Sequence, residues 1–205
     1  MSTDRFTLTW SDAILRASPF AGFAMNKQEQ LVDSAMQLFY RQGFHATGVD
    51  QLSREGAVTK RTLYRYFPTK EELVRAALEH RDAIFMARMR AHVEARPLAE
   101  RPVGYIDFIL AWTQEPDFHG CAFINAAAEY PAMGDAAHAV AAAHKQALRD
   151  YLERICVEAG VAEPQAAARQ LFLLGEGLTV AAQVGGYDGA LAETALAMAA
   201  ALGTG

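Results

Sequence analysis

Cysteine is scarce in this 205-residue sequence: there are two, Cys121 and Cys156, and they are far apart. This pattern offers neither a disulfide framework nor the paired spacing of a zinc finger, and we expect a reducing cytoplasm. Long apolar runs are also missing, because charges such as Glu176 and Asp188 interrupt the longest candidates. A membrane-spanning helix needs roughly 18 apolar residues, so no membrane partner is expected. The N-terminal segment lacks the charged and then apolar order of a secretory signal, so export is not expected either.

Strand patterns are equally absent, since no alternating runs rich in Val, Ile and Thr occur. Apolar residues make up 52% of the chain and charged residues 21%, a balance typical of a folded globular protein. Alanine, a strong helix former, dominates the second half. The sequence therefore predicts an all-α fold.

Charge is distributed unevenly along the chain, although the total is −5. Residues 41–70 contain six basic and two acidic side chains, a net charge of +4, whereas residues 83–205 carry a net charge of −6. One basic segment on an acidic chain indicates a local site for a polyanion. Ordinary surface variation is the alternative interpretation.

The basic segment has the pattern of a helix-turn-helix. Apolar residues recur at helical spacing from Leu31 to Phe39, and Gly43 ends this first helix. Thr47 or Gly48 caps a short second helix over residues 49–55. After the turn at residues 56–58, Thr59 caps a third helix that runs through Phe67 and stops at Pro68. Two short helices joined by a tight turn predict a helix-turn-helix.

The third helix would present a polar face to solvent. At 100° per residue, Leu63 and Phe67 point to one side and Arg61 and Arg65 to the other. Thr62 and Tyr64 flank the arginines. Guanidinium, hydroxyl and phenol groups suit the base edges and phosphates of a major groove. The alternative is a solvated helix face without a function.

Thr69 with Glu72 forms a capping box that begins a long fourth helix toward Arg96. Further helices are predicted around residues 105–114, 121–130 and 135–159, and two more follow Pro164. The last two, over residues 165–184 and 191–202, carry small and apolar residues on more than one face. This pattern predicts a homodimer formed through the last two helices, and a tightly buried terminal helix in a monomer is the alternative.

Residues 27 to about 82 resemble the DNA-binding domain of the TetR family of repressors. The resemblance is carried by Gly43-Phe44-His45-Ala46-Thr47, by Val58-Thr59-Lys60-Arg61-Thr62-Leu63-Tyr64-Arg65-Tyr66-Phe67, and by Pro68-Thr69-Lys70-Glu71-Glu72-Leu73. It implies a repressor that binds double-stranded operator DNA and is released by a small-molecule effector. By the resemblance, the residues that contact bases are Lys60, Arg61 and Thr62. Those that contact phosphates are Thr47, Tyr64, Tyr66 and Lys70, and Arg65 fits either set. Thr59 is also a candidate DNA-binding residue.

The turn between the second and third helices departs from the family pattern. Family members usually carry Ala-Gly here, whereas this chain has Gly56-Ala57. If Ala57 adopts a positive φ, the cost is roughly 1 kcal/mol. We therefore expect Ala57→Gly to raise the melting temperature.

The second half is predicted to hold an apolar ligand pocket among the middle helices. The candidate lining residues are aromatic: Tyr105, Phe108, Trp112, Phe123, Tyr130 and Phe172. Asn125 and Glu176 are the candidate polar residues that would select the ligand. The run Gly120-Cys121-Ala122-Phe123-Ile124-Asn125-Ala126 resembles one subgroup of the family. Core packing is the alternative interpretation for every aromatic residue in this set.

Three domain-level predictions complete this interpretation: residues 1–24 are an extension or arm, 25–82 a helix-turn-helix domain, and 83–205 a helical ligand-binding and dimerisation domain. Met25 is a candidate start, and an arm that reaches DNA is the alternative. Cys121, two residues after His119, fits an inert buried thiol better than a redox sensor or a metal ligand. An enzyme built on that pair, or an interaction protein that has lost DNA binding, are rival functions. We expect no enzymatic activity, cofactor or metal.

Overall fold

A computed structural model describes residues 25–202. It confirms the all-α fold, and the described part of the chain contains α-helices and one 3₁₀ turn but no strand. The helices, numbered in chain order, are α1 (Lys27–Gln42), α2 (Val49–Glu55), α3 (Lys60–Tyr66), α4 (Lys70–Glu94), α5 (Arg101–Thr113), α6 (Ala122–Glu129), α7 (Ala136–Glu158), α8 (Pro164–Gly185) and α9 (Gly189–Leu202). The 3₁₀ turn covers Leu98–Glu100.

The helix ends follow local capping rules. Asn26 begins α1 with a capping box, in which its side chain accepts hydrogen bonds from the N–H groups of Gln28 and Glu29 while the Glu29 carboxylate accepts from the Asn26 N–H. Gly43 ends α1 with φ +92°. Thr69 Oγ accepts a hydrogen bond from the Glu72 N–H at the start of α4. The ends at Gly43 and Thr69 agree with the sequence prediction, whereas α1 begins four residues before Leu31, the first apolar position of the predicted helix.

The chain forms two compact units. Among the described residues, the first unit contains 25–85 and 119–148, and the second contains 86–118 and 149–202. Consequently α4 and α7 each contribute residues to both units. The predicted domain boundary near residue 82 lies close to the first of these divisions, but the first unit also includes α6 and the first half of α7. The predicted domain scheme therefore remains a prediction, and the segment 1–24 lies outside the described residues.

The core of the first unit begins with the buried face of α1, which includes Leu31, Ala35 and Phe39. α1 packs on α2, and α2 packs on α3. Leu52 and Leu63 are at most 1% exposed and close the three-helix core from α2 and α3. Burial of each leucine side chain contributes about 1.5 to 3 kcal/mol of transfer free energy, which holds the short helices α2 and α3 in place.

The second unit is built around α5, which packs against both α8 and α9. The contact between α5 and α8 depends on a small residue, because a Cβ added at Gly175 would lie 2.2 Å from Tyr105 Oη. Tyr105 itself is fully buried. Within residues 25–202, no helix combines the length and the apolar character needed to cross a membrane.

Candidate DNA-binding surface

The third helix has the two faces that the sequence predicts. Thr59 caps α3 by accepting a hydrogen bond from the Thr62 N–H at 3.1 Å. Leu63 and Phe67 are buried, at 0% and 6% exposure. On the opposite side, the side chains that remain exposed are those of Arg61, Tyr64 and Arg65. A helix of two turns thus presents two guanidinium groups and one phenol to solvent.

The turn before α3 contains the one non-glycine residue with positive φ among residues 25–202, Ala57 at φ +49°. The Val58 N–H donates to the Ser53 carbonyl at 3.0 Å, and the Ala57 N–H donates to the Arg54 carbonyl at 3.1 Å. These two bonds form a Schellman motif, whose left-handed position is usually occupied by glycine. Ala57 thus has the positive φ that the Gly56-Ala57 order had left open.

Packing explains why glycine precedes Ala57 instead of replacing it. A Cβ at Gly56 would lie 2.5 Å from Leu31 Cδ1 and 3.0 Å from the Leu52 carbonyl oxygen. Contacts this short require the Leu31 side chain or the end of α2 to shift. The close approach to Leu31 therefore favours glycine at position 56, and Ala57 occupies the left-handed position of the turn.

Two other candidate DNA-binding residues, Lys60 and Arg65, interact with neighbouring side chains of the protein. Lys60 pairs with Asp50 of α2, and the hydrogen bond to this carboxylate raises the pKa of Lys60 above its ordinary value. Both side chains are exposed, so solvent screens the pair and a base or phosphate can compete for the ammonium group. Arg65 lies over the ring of Tyr66, 5.2 Å from its centroid, which restricts both side chains on this face.

Thr47 does not lie on the surface. Its side chain is 0% exposed, and its hydroxyl donates to the Gly43 carbonyl at 2.7 Å. The hydroxyl therefore closes the turn between α1 and α2. A phosphate contact through this side chain, which the resemblance implied, is not supported by its position.

Lys70 lies at the first position of α4 and reaches back to the same turn. Its Nζ donates to the His45 carbonyl at 3.2 Å. Burial lowers the pKa of Lys70 below its ordinary value, and the carboxylates of Glu71 and Glu129 oppose this effect. Lys70 keeps further N–H donors for a phosphate, since an ammonium group carries three.

A carboxylate that the sequence did not single out completes this turn. Glu129, at the end of α6, accepts hydrogen bonds from the backbone N–H groups of Phe44 and His45, at 2.9 and 2.6 Å. The next residue, Tyr130, packs edge-on against the rings of Phe44 and His45. No local pattern signals these contacts, because Glu129 is 84 and 85 positions away from its partners.

The predicted pocket residues fall into both compact units. Tyr105, Phe108, Trp112, Phe172 and Glu176 belong to the second unit, whereas Phe123, Asn125 and Tyr130 belong to the first. Phe123 stacks on His144 with ring centroids 3.7 Å apart, and the Asn125 side chain donates to the His119 carbonyl. Trp112 packs edge-on against Phe118. Phe123, Trp112 and Tyr130 thus make the contacts of core residues, and their role in a pocket remains a prediction.

One cavity in the second unit has a volume of about 250 Å³. It contains none of the predicted pocket residues, and its lining consists of Arg96, Ala99, Glu100, Pro102, Val103, Ala199 and Ala200.

Cys121 is buried at 4% exposure, with Lys145 Nζ 3.5 Å from its Sγ. His119 is exposed, and its ring packs edge-on against Tyr40. In the described part of the chain, no group of three or more His, Cys, Asp or Glu side chains converges on a position for a metal ion. The burial of Cys121 agrees with the interpretation of a structural thiol.

Comparison with known proteins places this surface in a family. Residues 31–77 match the model of the bacterial regulatory proteins of the tetR family. The TetR-family regulator SCO4454 of Streptomyces coelicolor has a crystal structure that is 30% identical and superimposes with a TM-score of 0.78, covering 86% of this chain and 94% of that chain. The chain belongs to the TetR family of transcriptional regulators.

Other similar proteins match over shorter regions or with lower identity. The regulator TcmR of Streptomyces glaucescens is 34% identical over 76 residues, which are 37% of this chain and 32% of TcmR. YxaF of Bacillus subtilis is 39% identical over 56 residues, 27% of this chain and 29% of YxaF. The matched regions thus span about a third of these relatives. Reduced Escherichia coli NemR, at 21% identity, shares the fold with a TM-score of 0.77 over 87% of this chain and 97% of NemR.

TetR-family regulators bind operator DNA and usually act as dimers with small-molecule effectors. The relatives are regulators and not enzymes, which argues against the enzyme built on Cys121 and His119.

Proposed function

We propose that this protein is a dimeric repressor that binds a near-palindromic operator through α3 and is released by a small apolar ligand. The observation that carries the proposal is the division of α3 into a buried side, Leu63 and Phe67, and an exposed side with Arg61, Tyr64 and Arg65. The buried side fixes the helix on the three-helix core. The exposed side is then free to enter a major groove.

The exposed groups differ in what they can recognise. The guanidinium of Arg61 can donate to two guanine acceptors at once, which discriminates between base pairs by about 1 to 3 kcal/mol. The hydroxyls of Thr59 and Thr62 lie 3.0 Å apart at the start of α3 and offer further contacts to a base edge or a phosphate. Tyr64, Tyr66 and Lys70 are proposed to bind phosphates, which position the helix without reading the sequence.

Fluorescence anisotropy tests the DNA-binding part. The purified protein is titrated against a duplex from the region upstream of its own gene and against a scrambled duplex, at two salt concentrations. Arg61→Ala is expected to weaken operator binding by about 1 to 3 kcal/mol and to reduce discrimination between the duplexes. Arg75→Ala is the matched control, because Arg75 is exposed on α4 and pairs with Glu79. Equal, weak binding of the wild-type protein to both duplexes would contradict the proposal.

The dimer is proposed to form through α8 and α9, which contact one another. Leu173, Val180 and Val184 lie on one stripe of α8 and are 68%, 44% and 85% exposed. Leu191 and Met198, seven residues apart on α9, are 46% and 51% exposed. Soluble monomers seldom expose apolar patches of this kind, and a second copy of the same helices would cover them.

Sedimentation velocity tests the dimer. Val184→Glu is expected to shift the protein to monomer, because a carboxylate placed in an apolar interface loses its hydration. Val157→Glu is the control, since Val157 is 56% exposed on α7 and lies outside the two stripes. A dimer that survives Val184→Glu unchanged would refute this interface.

The effector part of the proposal rests on the family and on thermodynamic linkage. A ligand releases the repressor only if it binds the DNA-free conformation more tightly than the DNA-bound one. α4 is proposed to transmit the effect of the ligand to the DNA-binding surface, because it contains residues of both compact units as well as Lys70. Calorimetry with apolar compounds, followed by operator binding in their presence, tests this part. A ligand that binds tightly yet leaves operator affinity unchanged would contradict it.

A further inference from the structure

His45, in the turn between α1 and α2, makes three contacts with other parts of the protein, through its N–H group, its carbonyl and its ring. The His45 N–H donates to Glu129 Oε2 at 2.6 Å, and the His45 carbonyl accepts from Lys70 Nζ at 3.2 Å. The imidazole packs edge-on against Tyr130, with centroids 4.6 Å apart. The neighbouring Phe44 N–H donates to the second carboxylate oxygen of Glu129 at 2.9 Å. One carboxylate therefore satisfies two consecutive backbone donors.

The carboxylate lies close to the glycine at the end of α1. A Cβ at Gly43 would lie 3.1 Å from Glu129 Oε1, and Gly43 has φ +92°, a conformation that other residues rarely adopt. The Gly43 carbonyl in turn accepts the buried hydroxyl of Thr47. Hydrogen bonds from the backbone to Glu129 and from Thr47 to the backbone thus fix the chain between the end of α1 and the start of α2.

The residues just before α6 also form hydrogen bonds with α1. Tyr40 Oη donates to the Gly120 carbonyl at 2.7 Å and accepts from the His119 N–H at 3.0 Å. The segment 119–130 therefore contacts α1 near residue 40 and the following turn at residues 44 and 45. These contacts hold Glu129 in place against the turn.

We infer that Glu129 is a positioning residue for operator binding, which acts by fixing the turn that leads into the helix-turn-helix. This inference rests on the proposed DNA-binding function. Charge-assisted hydrogen bonds from backbone N–H groups to a carboxylate are among the stronger hydrogen bonds in proteins. Without them, the turn loses its fixed path into α2, and the His45 carbonyl no longer holds Lys70 in one place.

Electrostatics alone gives the opposite expectation. A carboxylate near Lys70 repels DNA phosphates, so its removal would strengthen DNA binding if position were unimportant. The direction of the change in affinity therefore separates a positioning role from a purely electrostatic one.

Two variants and one control separate these roles further. Glu129→Gln removes the charge but keeps the shape, and its amide offers a single acceptor oxygen for two N–H groups. Glu129→Asp keeps the charge but withdraws the carboxylate by one methylene group. Glu79→Gln removes one carboxylate from the exposed Arg75–Glu79 pair on α4 and serves as the matched control.

Hydrogen exchange of the full-length, DNA-free protein reports on the turn directly. Both Glu129 variants are expected to exchange faster in the peptide that covers residues 43–47, with wild-type exchange in α8 and α9. The control is expected to behave like the wild-type protein. Faster exchange throughout the molecule would indicate general destabilisation and would overturn the inference, as would unchanged exchange at residues 43–47. This readout needs no DNA, so it remains informative if the proposed function fails.

Anisotropy with the upstream duplex supplies the second readout. Both Glu129 variants are expected to bind the duplex about tenfold more weakly than the control, the change expected from the loss of a hydrogen bond to a charged group. Wild-type or tighter binding by both variants would overturn the positioning role. Absence of specific binding by the wild-type protein would instead refute the proposed function. If Glu129→Gln does not fold, Glu129→Asp carries the same two measurements at unchanged charge.

Discussion

Replacement of Ala57 by glycine is expected to stabilise the protein. Ala57 occupies the left-handed position of the Schellman motif between α2 and α3, with φ +49°. Its side chain is exposed, so the substitution removes no core contact. The backbone can keep its present path, because glycine adopts this conformation without a steric penalty.

Two opposing terms determine the size of the effect. An L-residue in the left-handed region costs roughly 1 to 2 kcal/mol, and glycine removes this cost. Glycine also increases the conformational entropy of the unfolded chain, which lowers stability by about 0.4 to 1 kcal/mol. The expected net gain is about 0.5 to 1 kcal/mol. For a chain of this size, it corresponds to a rise in Tm of about 1 to 4 °C.

Ala57→Asn provides an independent check of the strain. Asparagine tolerates the left-handed region better than alanine but lacks the extra backbone freedom of glycine in the unfolded chain. It is therefore expected to raise Tm as well. Gly56→Ala is the opposite control, because its Cβ would lie 2.5 Å from Leu31 Cδ1, and it is expected to lower stability by about 1 to 3 kcal/mol.

Thermal unfolding followed by circular dichroism measures these differences. All variants are compared at one protein concentration, because the unfolding of a dimer depends on concentration. An unchanged or lower Tm for both Ala57→Gly and Ala57→Asn would show that the strain at this position is not released, and would refute the reasoning.

Two further predictions concern the buried parts of the second unit. Gly175→Ala is expected to lower stability by about 1 to 3 kcal/mol, because the new Cβ would lie 2.2 Å from Tyr105 Oη; urea denaturation measures the change, and an unaltered midpoint would contradict the packing argument. Cys156 is buried, and burial raises the pKa of its thiol to about 11, so we expect a thiol reagent at pH 8 to label it only after unfolding. Rapid labelling of Cys156 in the native protein, detected by mass spectrometry, would rule this out.

Local features of the fold were predictable from residues that lie close together in the chain. The Thr59 cap and the stop at Pro68 define α3 through neighbours at most a few positions away. The sequence also predicted a tight turn between α2 and α3 at residues 56–58. These predictions are confirmed because capping, turn conformation and helical periodicity depend on local backbone geometry.

Contacts between distant segments were not predictable in the same way. Nothing in the pattern around Glu129 distinguishes it from other helical glutamates, yet its carboxylate binds the turn 84 residues earlier. The position of Thr47 shows the same limit, because the sequence resemblance implied a phosphate contact and the structure buries the hydroxyl against Gly43. The division of the predicted pocket residues between two units is a third case.

From the amino-acid sequence alone, the all-α class and the helix-turn-helix with its exposed arginines were predictable, because each depends on spacing within one or two helical turns. Long-range packing settles which side chains hold the helix-turn-helix in position, and it also explains why Ala57 and not Gly56 has the positive φ. Glu129, Tyr40 and Lys70 reach their backbone partners across 84, 80 and 25 residues. Hydrogen bonds at such separations depend on the packing of whole helices, and helical periodicity carries no information about which carboxylate will meet which N–H group.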